Sequence, residues 1–162
     1  MKDYFGPHLS AEAVFRHGAA KEALYREMMR PRFARYLTPG FNAFIESCRG
    51  IPMGVGSNAE PENVEFTLAM AGLAGRFPVV VDGHQVKHPK PAPDIYLRAA
   101  EGLGVDPARC VIFEDSPGGV SAGLAAGARV VLVRTTLDSF PGVSLAVTDF
   151  GSPELRTWLE AA

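Results

Sequence analysis

The stretch CVIFEDSPGGVSAGLAAGARVVLV, residues 110–133, decides the fold class. It begins with an apolar run without alternation, Cys110–Phe113, and ends with another, Val130–Val133. Such runs are typical of strands covered on both faces, as in a parallel sheet. Between them, Gly119–Ala126 favours a helix, and Gly127 suits its end. The stretch therefore predicts a strand–helix–strand unit.

Strand and helix patterns also take turns along the rest of the chain. Further strands are predicted at Ile51–Gly56, Phe77–Val81 and Leu145–Thr148, and further helices at Phe41–Cys48, Pro61–Ala71, Pro93–Leu103 and Pro153–Glu160. This alternation predicts an α/β fold, in which a Rossmann-like parallel sheet carries helices on both faces.

A helical segment precedes this α/β body. Ser10–Tyr36 is rich in good helix formers, and Ser10 is a candidate N-cap. The segment Thr38-Pro39-Gly40 is the plausible boundary. We therefore expect two parts, residues 1–38 and residues 39–162.

Composition narrows the classes of protein that this chain can represent. Hydrophobic residues make up 47% and charged residues 21%, which is ordinary for a globular protein. The net charge of −2 and the lack of a basic patch argue against nucleic-acid binding. No apolar run has the length needed to span a membrane. Cys48 and Cys110 lie in apolar contexts without partner spacing, which predicts buried thiols in a reducing cytoplasm.

Chemically active side chains follow three of the predicted strands. Ser57 and Asn58 offer a hydroxyl and backbone N–H groups ahead of a helix, an arrangement that suits an anion. Lys90 stands between two prolines. Glu114 and Asp115 directly follow the predicted strand that ends at Phe113. Ligands bind at the carboxyl ends of the strands in open parallel sheets. A hydroxyl, an ammonium and two carboxylates at that edge suit a phosphoryl group and a hard cation such as Mg²⁺.

Each of these side chains also has a purely structural interpretation. Ser57 could be a helix cap, Lys90 a solvated surface lysine, and the acid pair the start of a turn. Their occurrence in three separate loops at one edge of one sheet favours a common site.

The ordered set of Ser57, KPAPDIY from Lys90 and FEDSPGGVSAGLAAGARVV from Phe113 resembles the haloacid dehalogenase superfamily. Within it, the set is most similar to the β-phosphoglucomutase-like and phosphatase-like branch. The resemblance covers nearly the whole chain, including KEALYREMM from Lys21. It implies a Rossmann-like core with a helical cap inserted after the first strand, so that residues 1–38 would be part of that cap.

The resemblance also implies roles for the candidate residues. Ser57 and the Asn58 N–H would hold the transferring phosphoryl group, and Lys90 would balance the charge around it. Asp115 would bind Mg²⁺ with help from Glu114. Members that act as dehalogenases lack this acid pair and need no Mg²⁺, so the pair favours phosphoryl transfer.

Two features bear on the substrate, which the resemblance implies is a small phosphorylated metabolite. Lys21, four residues before Tyr25, matches a position that faces the active site, although an exposed helical lysine is an equal alternative. Mutases of this branch bind a second phosphate with an arginine in a cap loop. The matching loop in this chain, Gly6–Ser10, has no arginine. This difference favours a phosphatase. A β-phosphoglucomutase-type sugar phosphomutase and a non-catalytic anion-binding domain remain the alternatives.

The catalytic motif that the resemblance implies is not found. It consists of an aspartate nucleophile at the end of the first strand and a second aspartate two residues later. None of the seven aspartates has another two residues on; after Asp82, His84 takes that place. We therefore expect a core without its first strand, and we expect the 162-residue chain to be inactive. A late start, a cleavage and a degenerate enzyme would each produce this pattern.

The position of the absent strand has a structural consequence. The resemblance places it between Ile51–Gly56 and Cys110–Phe113, in the middle of the sheet. Its absence would leave backbone N–H and C=O groups without partners. We expect the chain to respond by rearrangement or self-association.

Overall fold

The computed structural model describes residues 10–161, which fall into two compact units divided between Tyr36 and Leu37. The first unit is helical. Helix α1 spans Ala11–Met29, a 3₁₀ turn spans Arg30–Arg32, and helix α2 spans Phe33–Tyr36. The prediction of one continuous helix from Ser10 to Tyr36 is wrong at the turn, because Pro31 lacks the N–H that an α-helix needs there. As predicted, the Ser10 hydroxyl caps α1 and accepts from Ala13 N at 3.1 Å.

The second unit alternates strands and helices. In chain order it contains α3 (Phe41–Ser47), β1 (Gly54–Gly56), α4 (Pro61–Met70), β2 (Val79–Val81), α5 (Asp94–Leu103), β3 (Val111–Glu114), α6 (Pro117–Ala125), β4 (Arg129–Val133), β5 (Leu145–Val147) and α7 (Pro153–Glu160), with 3₁₀ turns at Gly83–Gln85 and Pro107–Arg109.

All strand pairs are parallel, which confirms the predicted Rossmann-like α/β class. Strand β3 pairs with β4 in the register Val111↔Arg129, and β4 pairs with β5 in the register Val131↔Leu145. Strand β1 pairs with β2 in the register Gly54↔Val79. Strand β4 lies inside its sheet and is buried from Val130 onwards.

The strands form two separate sheets, β1-β2 and β3-β4-β5. Among residues 10–161, no backbone hydrogen bond joins β1 to β3. The division falls where the sequence analysis expects a strand to be absent. The two flanking strands have therefore not paired with each other in its place.

Each sheet has its own hydrophobic core. Val81, Ile95 and Ala99 pack beside β1-β2. Val131, Val133, Val147 and Leu155 form a cluster against the longer sheet. Three phenylalanine rings extend that cluster with centroid distances of 5.1 to 5.4 Å, namely Phe44, Phe113 and Phe150.

The strands and helices that were predicted for the second unit are all present, and two of the strands begin later than predicted because of prolines. Strand β1 begins at Gly54 rather than Ile51, because Pro52 has no N–H to give and Ile51 is 60% exposed. Strand β2 begins at Val79, just after Pro78, rather than at Phe77. No helix within residues 10–161 combines the length and apolarity that crossing a bilayer requires.

Candidate functional site

Lys90 lies at the centre of the candidate site. Its ammonium group donates to Gly56 O at 3.0 Å and to the Tyr96 hydroxyl at 2.8 Å, and it forms an ion pair with Glu114 Oε1. The side chains of Lys90 and Glu114 are only 10% and 9% exposed. An ammonium has three N–H donors, so these three partners use all of them. The interpretation of Lys90 as a solvated surface lysine does not fit this geometry.

Tyr96, in the first turns of α5, joins the lysine to the acid. Its hydroxyl donates to Glu114 Oε1 and accepts from Lys90, and the ammonium also lies 4.6 Å from the ring centroid. Burial, together with the negative charges of Glu114 and Asp115, raises the pKa of Tyr96 well above its ordinary value. Tyr96 therefore stays a neutral hydrogen-bond donor to the carboxylate at neutral pH.

Glu114 uses both of its carboxylate oxygens within the protein. Oε1 receives Lys90 and Tyr96, and Oε2 accepts from Asp115 N at 3.2 Å and from the Ser116 hydroxyl at 3.1 Å. Burial opposes ionisation, but Lys90, Tyr96 and the Ser116 N–H outweigh it, so the pKa of Glu114 lies below its ordinary value. Glu114 is therefore ionised at neutral pH and engaged by protein donors.

The lowered pKa of Glu114 predicts a loss of stability in acid. Because the folded state favours the ionised carboxylate, this contribution is present above the ordinary pKa of 4.5 and disappears as the pH falls through the folded-state value. Urea unfolding between neutral and acid pH should show the stability gap between the wild type and Glu114→Gln narrowing as the pH falls. Glu101→Gln, at an exposed position on α5, is the matched control. A gap that stays constant with pH would contradict the prediction.

Asn58 ties the loop after β1 to the Lys90 loop. Its Oδ1 accepts from Lys90 N at 3.1 Å, and its Nδ2 donates to Lys90 O at 3.3 Å. In the same loop Ser57 N donates to Val81 O at 2.9 Å, and the Ser57 hydroxyl accepts from Ala59 N at 3.1 Å. The Ser57 hydroxyl thus keeps its proton available to donate to another group.

Asp115 connects the end of β3 to the end of β4. Its Oδ2 accepts from the Thr135 hydroxyl at 2.5 Å, and its backbone carbonyl accepts from the Thr136 hydroxyl. Both threonines follow β4, so they lie at the carboxyl edge where the other candidate residues were sought. Neither threonine was predicted from the sequence, although each is a polar residue that closely follows a strand, as Ser57 and Asp115 do in their own loops.

The structure brings the Ser57–Asn58 loop, Lys90 and Glu114 together at one edge, with Asp115 adjacent to Glu114. Lys21 lies on α1, in the other unit; its side chain is 68% exposed and forms an ion pair with Glu22. The loop Gly6–Ser10 lies outside the described residues except for Ser10.

Asp82, the aspartate nearest in sequence context to the absent motif, has a structural role. It is 7% exposed and caps the 3₁₀ turn Gly83–Gln85. Its carboxylate accepts from His84 N at 2.9 Å and from Gln85 Nε2 at 2.5 Å. These bonds hold the carboxylate within its own turn.

The side chains at this edge include a suitable type of ligand for Mg²⁺, because Asp115 offers the hard carboxylate oxygen that this ion prefers. It supplies few ligands, however. Across residues 10–161, no group of three or more histidine, cysteine, aspartate or glutamate side chains is arranged to hold a metal ion. Asp115 is the acid of the pair that is not already surrounded by a lysine and a tyrosine.

Comparison with known proteins identifies the class to which this fold and site belong. The family model for haloacid dehalogenase-like hydrolases matches residues 6–127. The chain belongs to this family.

Individual relatives and solved structures are similar to this chain. Fructose-1-phosphate phosphatase YqaB from Escherichia coli K12 is 47% identical over 83 residues, which are 51% of this chain and 44% of that protein. CbbY from Rhodobacter sphaeroides, solved with phosphate, gives a TM-score of 0.71 at 30% identity over 83% of this chain and 64% of that one. A family IA hydrolase from Entamoeba histolytica gives a TM-score of 0.82 at 24% identity, covering 99% of this chain and 77% of that one, which shows the shared fold.

The chain spans only part of its curated relatives. The match covers 36% of a bifunctional riboflavin kinase/FMN phosphatase from Arabidopsis thaliana and 54% of CbbY from Rhodobacter capsulatus.

Proposed function

We propose that this chain carries the phosphoryl-binding half of a Mg²⁺-dependent phosphoryl-transfer site, of the phosphatase type, for a small phosphorylated metabolite. The observation that supports the proposal is the buried Lys90–Glu114 pair held beside the Ser57–Asn58 loop. Relatives named as phosphatases, among them fructose-1-phosphate phosphatase, support the substrate class. The phosphomutase alternative has support from the shared fold of β-phosphoglucomutase from Clostridium difficile, at 23% identity and a TM-score of 0.80.

In this proposal Ser57 and Asn58 bind the phosphoryl group. The Ser57 hydroxyl accepts one internal hydrogen bond and can donate its proton to a phosphoryl oxygen. The backbone N–H of Asn58 is the second donor, and the side chain of Asn58 fixes the position of the loop relative to Lys90.

Lys90 acts in this site through its position and charge. All three of its donors are already engaged, so it would contact a phosphoryl oxygen directly only by releasing one partner. We assign Glu114 to holding Lys90 rather than to the metal, because both of its oxygens accept from protein groups. Asp115 is then the residue proposed to hold Mg²⁺.

The charges of these three residues explain why a cation would be needed. The positive charge of Lys90 is offset by Glu114, which leaves the negative charge of Asp115 facing an anionic substrate. When bound at Asp115, Mg²⁺ would neutralise charge on the phosphoryl oxygens. The ion would complete its coordination mostly with water.

This charge balance predicts that inorganic phosphate binds only together with Mg²⁺. In two-dimensional NMR, phosphate should shift the amide signals of Ser57 and Asn58 when Mg²⁺ is present and leave them unchanged without it. Asp115→Asn should remove the requirement for Mg²⁺, because it removes the repelling charge. Asp138→Asn, at an exposed loop position, should behave like the wild type. Equal phosphate binding with and without Mg²⁺ would refute the proposed role of Asp115.

We further propose that this 162-residue chain does not turn over phosphate esters. Covalent phosphoryl transfer needs a nucleophile, and no aspartate of the chain stands in the expected motif. With p-nitrophenyl phosphate and Mg²⁺, release of nitrophenolate should equal that of buffer alone. Turnover that disappears in Asp115→Asn would overturn this prediction, and Asp82 would be the first nucleophile to test. An inactive chain that binds phosphate would agree with the non-catalytic alternative as well.

The two cysteines bear on the compartment in which the protein is proposed to work. Cys48 and Cys110 are free thiols, which supports a reducing compartment such as the cytoplasm. Burial, helped by the charge of Asp106, raises the pKa of the Cys110 thiol above its ordinary value, so it stays protonated.

A further inference from the structure

The ring of Tyr96 is held in the candidate site by packing against the end of β1. Ile95, the residue before it, is completely buried in the core of the β1-β2 sheet, and the Tyr96 ring packs against the same core. A Cβ on Gly56 would lie 3.2 Å from Tyr96 Cε1, so the ring lies close over that glycine. The position of the Tyr96 hydroxyl is therefore fixed by the core as well as by its hydrogen bonds.

The Tyr96 hydroxyl makes two hydrogen bonds of different kinds. It donates its one proton to Glu114 Oε1, and its oxygen accepts from Lys90 Nζ at 2.8 Å. Only the bond to Glu114 needs the proton of Tyr96, and burial keeps that proton in place at neutral pH by raising the pKa of the hydroxyl. Breaking the bond from Lys90 would therefore leave the bond to Glu114 intact.

The other two partners of Lys90 are harder to release. Separating its ammonium from Glu114 would leave two opposite charges unpaired, in side chains that are 10% and 9% exposed. Gly56 O belongs to the backbone of β1, so it cannot turn towards another donor. The phenol oxygen of Tyr96 is neutral, and a neutral acceptor binds an ammonium more weakly than a carboxylate does. Of the three bonds that Lys90 donates, the one to Tyr96 costs least to break.

The Lys90 ammonium lies beside the loop that is proposed to bind the phosphoryl group. Gly56 O, which is 3.0 Å from Lys90 Nζ, belongs to the residue directly before Ser57. The main chain of Lys90 is tied to the side chain of Asn58 by two hydrogen bonds. The Ser57 hydroxyl keeps its proton available for an acceptor outside the loop. An anion held by this loop would thus lie next to the ammonium.

We propose that Tyr96 is a positioning residue with an exchangeable bond: it holds the third N–H of Lys90 in the free site and gives it up to a phosphoryl oxygen. This inference rests on the proposed function, because it needs an anion at the Ser57–Asn58 loop. The exchange breaks one hydrogen bond from Lys90 and forms another, and no proton leaves the ammonium. Lys90 keeps Glu114 and Gly56 O throughout, so it binds the anion without losing its ion pair.

A phosphate titration followed by NMR tests the exchange directly. The chain is labelled with ¹³C at the ζ carbon of its four tyrosines, because the shift of this carbon responds to hydrogen bonding at the attached oxygen. With Mg²⁺ present, inorganic phosphate should shift the Tyr96 signal together with the Ser57 and Asn58 amides, and all three should give the same dissociation constant. The signal of Tyr36, whose ring is 61% exposed in the other unit, should stay unchanged.

The variant Tyr96→Phe separates an exchangeable partner from a purely structural one. It keeps the ring but frees the third N–H of Lys90 in advance, so phosphate should bind about two- to tenfold more tightly, the factor that one neutral hydrogen bond contributes. Stability to urea should fall, because Glu114 loses a donor, and affinity is therefore expressed per folded molecule. Tyr36→Phe is the matched control and should leave the affinity unchanged. If Tyr96→Phe does not fold, the titration of the labelled wild type decides.

Three results would overturn the role of Tyr96. A Tyr96 signal that stays unchanged while the Ser57 and Asn58 amides shift would disprove the exchange and leave the proposed function standing. Unchanged or weaker phosphate binding by folded Tyr96→Phe would do the same, because it would show that the hydroxyl does not compete with the anion for Lys90. Phosphate that shifts none of these signals would overturn the proposed function, and the exchange with it.

Discussion

Replacing Lys90 with methionine should lower the free energy of unfolding by about 3–5 kcal/mol. The substitution keeps most of the apolar stem but removes the ammonium. Glu114 is then left as a buried carboxylate without its cation, and the Gly56 carbonyl loses its donor. Breaking one partner of a buried ion pair costs much more than the pair contributes as a whole, because the remaining charge stays desolvated. Urea denaturation at neutral pH measures the change.

Two further variants separate this effect from a general sensitivity of the loop. Lys87→Met removes an exposed lysine from the same loop and should change stability by no more than about 0.5 kcal/mol. The double variant Lys90→Met/Glu114→Gln should recover part of the loss, because it removes the stranded charge. A Lys90→Met loss as small as that of Lys87→Met would show that the pair is solvated and not buried.

Replacing Gly119 with alanine should also have a large effect, of about 2–3 kcal/mol. A Cβ at this position would lie 2.0 Å from Glu114 Cδ, far inside van der Waals contact. The carboxyl group is the end of a flexible side chain, but moving it breaks its bonds to Lys90, Tyr96 and Ser116. Thermal or urea unfolding gives the size of the loss.

The neighbouring glycine provides the matched control. Gly118 lies in the same turn of α6, and a Cβ there meets nothing closer than Lys90 Cβ at 4.0 Å. Gly118→Ala should be neutral, or stabilising by up to about 1 kcal/mol, because alanine is the better helix former. If both substitutions had the same effect, close packing of α6 against Glu114 would be disproved.

The sequence predicted the order and type of nearly all elements, because buried parallel strands and their helices leave distinct local patterns. Residues 110–133 are the clearest example. The predicted first residues of β1 and β2 lie too early in the chain. Pro52 and Pro78 lack the backbone N–H that a strand needs, and the hydrophobic pattern does not reveal this. Pro31 likewise interrupts a helix whose composition is otherwise favourable.

The candidate site could be located from sequence, but its internal partners could not. Lys90 and Gly56 are separated by 34 residues, and Tyr96 and Glu114 by 18, so only the folded chain shows that they touch. Tyr96 was part of the quoted KPAPDIY motif, yet nothing in the motif indicates that its hydroxyl turns towards an acid. The same limit applies to Glu114, whose carboxylate the pattern alone cannot distinguish from that of Asp115.

The hydrogen bond from Lys90 to the Gly56 carbonyl and its ion pair with Glu114 join two sheets that share no backbone hydrogen bond within residues 10–161. The same few atoms are therefore part of the candidate site and part of what keeps the two halves of the unit together. In a cell, substitutions here would lower the amount of protein as well as its binding, since unfolded chains are removed by proteases. A genetic screen would then find variants of Lys90 and Glu114 among the low-abundance alleles. Binding measured on such variants has to be expressed per folded molecule.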